Sequence, residues 1–257
     1  MELRRLVPKL GSHCLGAMIV RRDGAADPHR TLRAFARAAI SAGCIVREGC
    51  GVQAIERRGE RWTIRAGDTE FLAPCIVNAA GAWAGRIAQM VGDDIPLRTK
   101  ASMMIVTERV APVLGPVMGS AGRPLSFKQT DIGTLLIGGG RQGIPNLDDE
   151  TCTVRLEELA YSARTVCELF PSLSAVRVAR AWAGLEAATS DMVPVIGPSP
   201  NAPGVIHVFG FSGHGFQLVP VVGAIVADFA VRGRTDRDVR RLQAARLMTD
   251  GKSVPRT

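Results

Sequence analysis

Two glycine-rich segments on either side of a short apolar stretch are the residues of this chain best suited to chemistry. Residues 180–197 read RAWAGLEAATSDMVPVIG, and residues 210–217 read GFSGHGFQ. Val205 to Phe209, between them, is a predicted strand, and a long apolar helix is predicted to follow the second segment. A strand, a glycine turn and a helix N-terminus bring backbone N–H groups and positive dipole potential together, and glycine permits close approach. The pattern predicts a site for an electron-rich ligand.

Helices and strands alternate in the elements that must position this site. Asp27-Pro28 is a helix N-cap followed by proline, apolar residues recur at helical spacing from Leu32 to Ile40, and Gly43 ends the pattern. Short strands are predicted at 44–46, 52–56, 62–65 and 71–77. From about residue 96 the chain predicts an antiparallel sheet with one helix over 152–170, then a strand from Val176 to Gly184 that leads into a glycine-rich turn. These elements predict a layered α/β (α+β) fold of two domains.

Composition and charge exclude several classes of function. Apolar residues make up 46% and charged residues 22% of the 257 positions, and the formal charge is +8. The arginines are scattered and there is one tyrosine, so no nucleic-acid surface is predicted. Six cysteines without a CxxC pair predict reduced, mostly buried thiols in a cytoplasmic protein and no metal site. Residues 1–10 do not form a signal peptide, and polar residues within 209–231 argue against a transmembrane segment.

Gly138 to Gly143 fits the dinucleotide-binding pattern GxGxxG by spacing alone. Such a fingerprint opens directly into a helix that holds the pyrophosphate. Here Ile144-Pro145-Asn146 and an acidic run follow instead. The context predicts a loop at the end of a strand.

Four segments, in order along the chain, read DGAADP at 23–28, VQAI at 52–55, VNAAGAW at 77–83, and WAGLE at 182–186 with TSDMVPVIG and GHGF downstream. Together they resemble the FAD-dependent oxidoreductases of the D-amino-acid oxidase superfamily, which includes glycine oxidase and sarcosine oxidase. The GFSGHGFQL segment is most similar to the β subunits of opine oxidase, hydrogen cyanide synthase and D-hydroxyproline dehydrogenase.

The resemblance implies an FAD-binding Rossmann-like domain formed by residues 1–95 and 191–250, a substrate domain over 96–190, and a frayed tail at 251–257. Family members begin with a GxGxxG unit that binds the ADP half of FAD, and this chain starts downstream of it. The Rossmann-like domain is therefore expected to be incomplete. Two explanations stay open: a truncated product or gene fragment, or a second polypeptide that supplies the missing unit.

The resemblance also implies roles for individual residues. The predicted cofactor-binding residues are Val52, Ala79, Ala80, Gly81, Trp83, Gly184, Gly213, His214, Gly215, Phe216 and Gln217. The predicted substrate-binding residues are Glu186, Arg180, Lys128 and Trp182. Where relatives such as glycine oxidase commonly carry an arginine that clamps a carboxylate, this chain has Glu186, which favours a cationic group.

Alternatives remain for several of these residues. Glu186 is either a ligand for a cation or a surface or capping carboxylate. His214 is a charge beside the flavin, a structural residue of the turn or a general base. Trp83 and Trp182 either line the flavin and substrate or belong to the core.

The leading hypothesis is an FAD-dependent oxidoreductase subunit that oxidises the C–N bond of an amine or amino acid and passes a hydride to flavin N5. In it, Glu186 and His214 are the candidate catalytic residues, the substrate is a small amine or amino acid, and other flavoenzyme subunits are candidate partners. The second hypothesis is a non-catalytic remnant or interaction subunit of a heteromeric flavoenzyme. The third is an NAD-type dehydrogenase that uses Gly138 to Gly143.

Overall fold

The structure is a computed structural model that describes residues 2–248, which contain five α-helices and thirteen β-strands. The helices are α1 (Glu2–Leu6), α2 (Pro28–Ser41), α3 (Ala84–Met90), α4 (Leu156–Leu169) and α5 (Gly215–Arg232). The strands are β1 (Val52–Arg58), β2 (Arg61–Ala66), β3 (Thr69–Ala73), β4 (Ile76–Asn78), β5 (Arg98–Arg109), β6 (Met118–Ser120), β7 (Arg123–Gln129), β8 (Thr134–Gly138), β9 (Ile144–Asn146), β10 (Thr151–Thr153), β11 (Val178–Ala188), β12 (Val195–Pro198) and β13 (Val205–Phe209).

The strands form four sheets, with the orders β1-β2-β3, β10-β9, β11-β5-β8-β7-β6 and β12-β13-β4. Every pairing with a described register is antiparallel except that of β13 with β4, which is parallel. The predicted mixed α/β fold with an antiparallel second domain is confirmed. The predicted tail, 251–257, lies outside the described residues.

The first of two compact units comprises the residues up to Thr31 and Lys100–Leu185. Its core lies between the five-stranded sheet and α4, with the rings of Phe127 and Phe170 5.3 Å apart. Val7 and Leu10 are buried in the same core. Residues 1–31 therefore group with this unit by contact, whereas the sequence placed them with the other domain; the rest of the domain assignment stays a prediction.

The second compact unit comprises Leu32–Thr99 and the residues from Glu186 onward. Ala84 and Ala88 of α3 pack against Val195 and Phe209, while Val222 and Ile225 of α5 pack against Ile196. Since Val195 and Ile196 are neighbours on one strand, their side chains point to opposite faces, and α3 and α5 cover opposite faces of the β12-β13-β4 sheet.

The amphipathic helix predicted from Leu32 to Ile40 is confirmed as part of α2, but its apolar face is exposed. None of its residues is buried, and the side chain of Leu32 is 69% exposed. The predicted strand at 44–46 is wrong, because no strand among residues 2–248 pairs with it and the segment has no regular secondary structure. Ile45 in that segment is 78% exposed.

The helix predicted over 152–170 begins later, at Leu156, because β10 pairs with β9 before it. The prediction that Gly138–Gly143 is a loop is confirmed, since it joins β8 to β9 and no helix follows. Gly139 has a φ of 125°, and an added Cβ there would lie 2.4 Å from Cα of Leu125. Close packing against the Leu125 backbone therefore requires glycine at position 139.

The cysteines are free thiols, five half-buried and Cys44 exposed, so the prediction that they are mostly buried is wrong. Burial raises the pKa of the Cys75 and Cys167 thiols. Among residues 2–248, no group of three or more His, Cys, Asp or Glu side chains is placed to hold a metal ion. In the same range α5 has the length and composition of a membrane span, properties that core helices share.

Candidate functional site

The candidate site lies where two neighbouring parallel strands of the second unit end. In the register of β4 with β13, Asn78 is opposite His207, so both carboxyl ends lie at one edge of the sheet. Each strand is followed by a glycine turn that leads into a helix, α3 after β4 and α5 after β13. In open α/β sheets this edge is where ligands bind.

The turn after β4 is formed by Ala79, Ala80 and Gly81. Gly81 has a φ of 55° and begins a short 3₁₀ turn that ends at Trp83, directly before α3. An added Cβ at Gly81 would meet no atom within 4 Å. The indole Nε1 of Trp83 is buried and has no hydrogen-bond partner among the described residues. This turn therefore offers open space and an unused donor.

The turn after β13 runs from Gly210 to His214. The backbone φ is positive at Gly210 (74°), Ser212 (54°) and Gly213 (95°). The N–H of His214 donates to the carbonyl oxygen of Phe211 at 3.0 Å, so this amide serves the turn rather than a ligand. The first residues of α5, 215–217, have N–H groups without intrahelical acceptors, as at every helix start. The His214 side chain is exposed.

Glu186 lies beside the second turn. Its Oε1 is 3.8 Å from the position of an added Cβ on Gly213, and two residues later Ala188 forms a β-bridge with Phe211. Glu186 is half-buried and already interacts with another group of the protein. The carboxylate is therefore held next to the turn that precedes α5.

The prediction that the strand ends at Gly184 and turns there is wrong. Gly184 lies inside β11, which continues without a break from Val178 to Ala188, and its φ is not positive. The reason is that the extended backbone continues past Gly184 until the bridge at Ala188. The side chain of Glu186 is consequently presented from a strand.

The remaining predicted residues fall into two groups. Val52 is the first residue of β1 in the second unit and is 39% exposed. Lys128, Arg180 and Trp182 belong to the first unit. There the guanidinium of Arg180 lies over the Trp182 ring at 5.0 Å, and Lys128 Nζ donates to the carbonyl oxygen of Ala26 at 3.5 Å. Their roles stay predictions.

The sequence did not identify the ion pair that holds the segment before β12. Nε of Arg246 donates to Oδ2 of Asp191 at 2.8 Å, and the N–H of Val193 donates to Oδ1 at 3.1 Å. These donors, Arg246 first, lower the pKa of Asp191 to about 2. The acidic residue in the TSDMVP segment was the available signal, but its partner lies 55 positions away.

These features fit a flavin. Its isoalloxazine ring is flat and carries negative charge when reduced, and the N-terminus of α5 supplies positive potential and backbone donors. The open space over Gly81 permits close approach, and Trp83 Nε1 is a buried donor without an acceptor among the described residues. The residues present therefore fit this group, and Ala79–Gly81 and Gly213–Gln217 are the residues that would hold it.

The chain matches known proteins in sequence and in fold. The family model described as FAD dependent oxidoreductase matches residues 1–229. Hydrogen cyanide synthase subunit HcnC of Pseudomonas aeruginosa is 26% identical over 98% of this chain and 60% of its own length. One of the subunits of opine oxidase from Rhizobium meliloti is 29% identical over 94% of this chain and 62% of its own.

Among solved structures, L-proline dehydrogenase from P. horikoshii is 27% identical with a TM-score of 0.88, covering 95% of this chain and 66% of that chain. Glycine oxidase from Geobacillus kaustophilus, 23% identical with a TM-score of 0.87, shows the same fold over 96% of this chain and 66% of its own. The chain thus spans about 60% of the length of the HcnC and opine oxidase polypeptides. On the match of residues 1–229, the chain belongs to the family of FAD-dependent oxidoreductases.

Proposed function

We propose that this chain is part of an FAD-dependent oxidoreductase that oxidises the C–N bond of a small amine or amino acid. The observation that carries the proposal is the pair of glycine turns at the ends of the parallel strands β4 and β13. Membership of the family identifies the cofactor as FAD. Because the hydrogen cyanide synthase and opine oxidase relatives are both named as subunits, other polypeptides are proposed to take part.

When bound, FAD would supply the acceptor for the hydride that leaves the carbon bearing the amine. The nitrogen would lose a proton, and water would hydrolyse the resulting imine. The work of this chain is to hold the ring and to orient the substrate. The N–H groups at the start of α5 would stabilise negative charge on the ring. The open space beside Gly81 would leave room for the ring. Val52 and Trp83 are further candidate cofactor-binding residues.

Glu186 is proposed to bind a cationic group of the substrate. Its carboxylate lies beside Gly213, next to the proposed position of the ring. A carboxylate in this place attracts an ammonium or guanidinium group and repels the carboxylate of a simple amino acid. Trp182 and the cations Arg180 and Lys128 are further candidate substrate-binding residues.

A visible absorption spectrum of the purified full chain, before and after FAD addition and gel filtration, tests the proposal. Retention of a flavin band is the expected result. A matched pair of variants sharpens the test. Gly81 (φ 55°) and Gly59 (φ 63°) have nearly the same backbone conformation, and an added Cβ meets nothing within 4 Å at either.

Asparagine tolerates this backbone conformation, so neither substitution should disturb folding. Gly81→Asn should weaken FAD binding at least tenfold by filling the space that the ring needs. Gly59→Asn, in the turn between β1 and β2, should bind FAD like the original chain. Equal binding by both variants would contradict the proposed site, and a colourless protein would contradict FAD binding by this chain on its own.

The alternative function, an interaction subunit without catalysis, is favoured by one observation. The apolar side chains of α2 are exposed, including Phe35 (49%) and Ile40 (55%), and Val77 of β4 is exposed as well. Faces of this kind mark surfaces that bind other polypeptide segments. If the chain associates with other flavoenzyme subunits and the assembly retains no flavin, this alternative replaces the first.

A further inference from the structure

A buried polar network lies behind the turn after β4, and the proposed chemistry does not use it. His207 of β13 and Asp93, which follows α3, are both completely buried. Nε2 of His207 and Oδ2 of Asp93 are 2.7 Å apart. Burial of these polar groups is costly unless each is fully hydrogen-bonded, so the partners define what the network does.

The carboxylate of Asp93 is held by three side chains. Besides His207, the hydroxyl of Ser199 donates to Oδ2 and Nδ2 of Asn201 donates to Oδ1 at 2.9 Å. The Asp93 backbone N–H is bonded to the carbonyl oxygen of Ala88 at 3.0 Å, at the end of α3. Asp93 is therefore a fixed anchor for the imidazole.

The other side of the imidazole contacts Asn78, the last residue of β4. Oδ1 of Asn78 accepts from the N–H of Ala80 at 3.3 Å, which identifies Nδ2 as the amide nitrogen. That nitrogen donates to the carbonyl oxygen of Ala84 at 2.9 Å and to Nδ1 of His207 at 3.2 Å. Nδ1 is thus an acceptor, and the imidazole is neutral with its proton on Nε2, facing Asp93.

The Asn78 amide therefore clamps both ends of the turn, at Ala80 and at Ala84, in an orientation that the imidazole selects. If Nδ1 of His207 were removed, a buried N–H of Asn78 would lose its acceptor. Rotation of the amide to find another acceptor would release the Ala80 N–H and the Ala84 carbonyl. The turn that includes Gly81 and Trp83 would then lose its fixed shape.

We propose that His207 is a positioning residue that, through Asn78, fixes the shape of the turn at residues 79–84 for the cofactor. The inference rests on the proposed function for the identity of the ligand. The geometry of the clamp itself depends only on Asp93, His207 and Asn78. A chain without this network would keep the glycine turn but not its orientation.

Two substitutions separate the two sides of the imidazole. His207→Asn places an oxygen near the position of Nδ1 and keeps an acceptor for Asn78, but it does not reach Asp93. His207→Gln places a donor near the position of Nε2 and keeps the contact with Asp93, but it leaves Asn78 without its acceptor. Ile206→Ala, a buried neighbour on β13 with its side chain on the opposite face, is the control for general loss of stability.

Hydrogen–deuterium exchange of the amides at 79–84 in the full chain is the main measurement, and FAD affinity is the second. We expect His207→Gln to raise the exchange rate of these amides at least tenfold above that of Ile206→Ala and to weaken FAD binding about tenfold. His207→Asn should restore most of the protection. Asn78→Leu, which removes the clamp, should match His207→Gln in exchange.

Equal exchange at 79–84 in all His207 variants and in Ile206→Ala would overturn the inference and leave His207 as an ordinary core residue. Better protection in His207→Gln than in His207→Asn would also overturn it, since the role would then be to donate a hydrogen bond to Asp93. If the original chain binds no FAD, the proposed function fails. The exchange rates still decide whether His207 positions the turn.

Discussion

The carboxylate of Glu186 lies beside Gly213, with Oε1 3.8 Å from the position of an added Cβ. An acidic side chain at the turn before α5 would repel a reduced, anionic ring at the proposed position, because two negative charges repel each other. A cation placed between them removes the conflict. The proposed substrate, with a positive charge near its oxidised carbon, supplies that cation.

Replacing Glu186 tests this role. We expect Glu186→Gln to raise the KM of the assembled, FAD-loaded enzyme for a cationic amine by about tenfold or more, because a charge-assisted hydrogen bond contributes about 1.5–3 kcal/mol. The kcat should change little. A neutral amine substrate is the control, and an equal rise of KM for both substrates would contradict charge recognition.

The exposed face of α2 gives a second prediction. Phe35→Ser should change the free energy of unfolding of the chain by no more than about 0.5 kcal/mol, because the ring is already half exposed. Phe127→Ser, in the buried core of the first unit, should cost about 4 kcal/mol. Urea unfolding measures both.

Sedimentation of the same Phe35→Ser variant examines association. If the α2 face binds other polypeptide segments, the variant should self-associate less than the original chain and should bind a co-expressed flavoenzyme subunit more weakly. Unchanged association together with unchanged stability would mean that this face binds nothing.

The ion pair of Asp191 with Arg246 predicts a dependence of stability on pH. The folded-state pKa of Asp191, about 2, is below the unfolded value of 3.8, so the unfolded chain takes up a proton more readily. The stabilisation is therefore complete above pH 3.8 and is lost as the pH falls toward 2. Because Asp191 is 38% exposed, we discount the shift for solvent screening and expect about 1 kcal/mol.

Comparison of Asp191→Asn with the original chain measures this contribution. The difference in unfolding free energy should be largest near pH 6 and should shrink toward zero as the pH approaches 2. Asp68→Asn makes the same change of charge in the exposed turn between β2 and β3 and is the control. A difference that did not vary with pH would argue against the ion pair.

The glycines at 139 and 140 provide a test of the loop after β8. Gly139→Ala should destabilise the chain by about 3 kcal/mol, because its Cβ would lie 2.4 Å from backbone atoms of Leu125. Gly140→Ala has open space and a φ of 94°, so only backbone strain of about 1–2 kcal/mol is expected. Equal midpoints of urea unfolding for the two variants would contradict this packing.

Local patterns predicted the parts of the fold that depend on neighbouring residues. The capped helix beginning at Pro28, the strand at Val205–Phe209 and the loop at Gly138–Gly143 all follow from spacing and turn residues within a few positions. The prediction failed at Gly184, where a glycine is compatible with either a turn or a strand. It failed again at 44–46, where apolar residues of strand type have no partner among residues 2–248.

The sequence by itself determined the family, through the order of four short motifs, and with it the glycine turns that border the candidate site. Only the tertiary structure decided that Asn78 and His207, 129 positions apart, share a buried hydrogen bond behind one of those turns. The physical reason is that turn and helix preferences act between near neighbours, whereas the partner of a buried polar group is set by the pairing of distant strands. The parallel pairing of β4 with β13 makes that choice here.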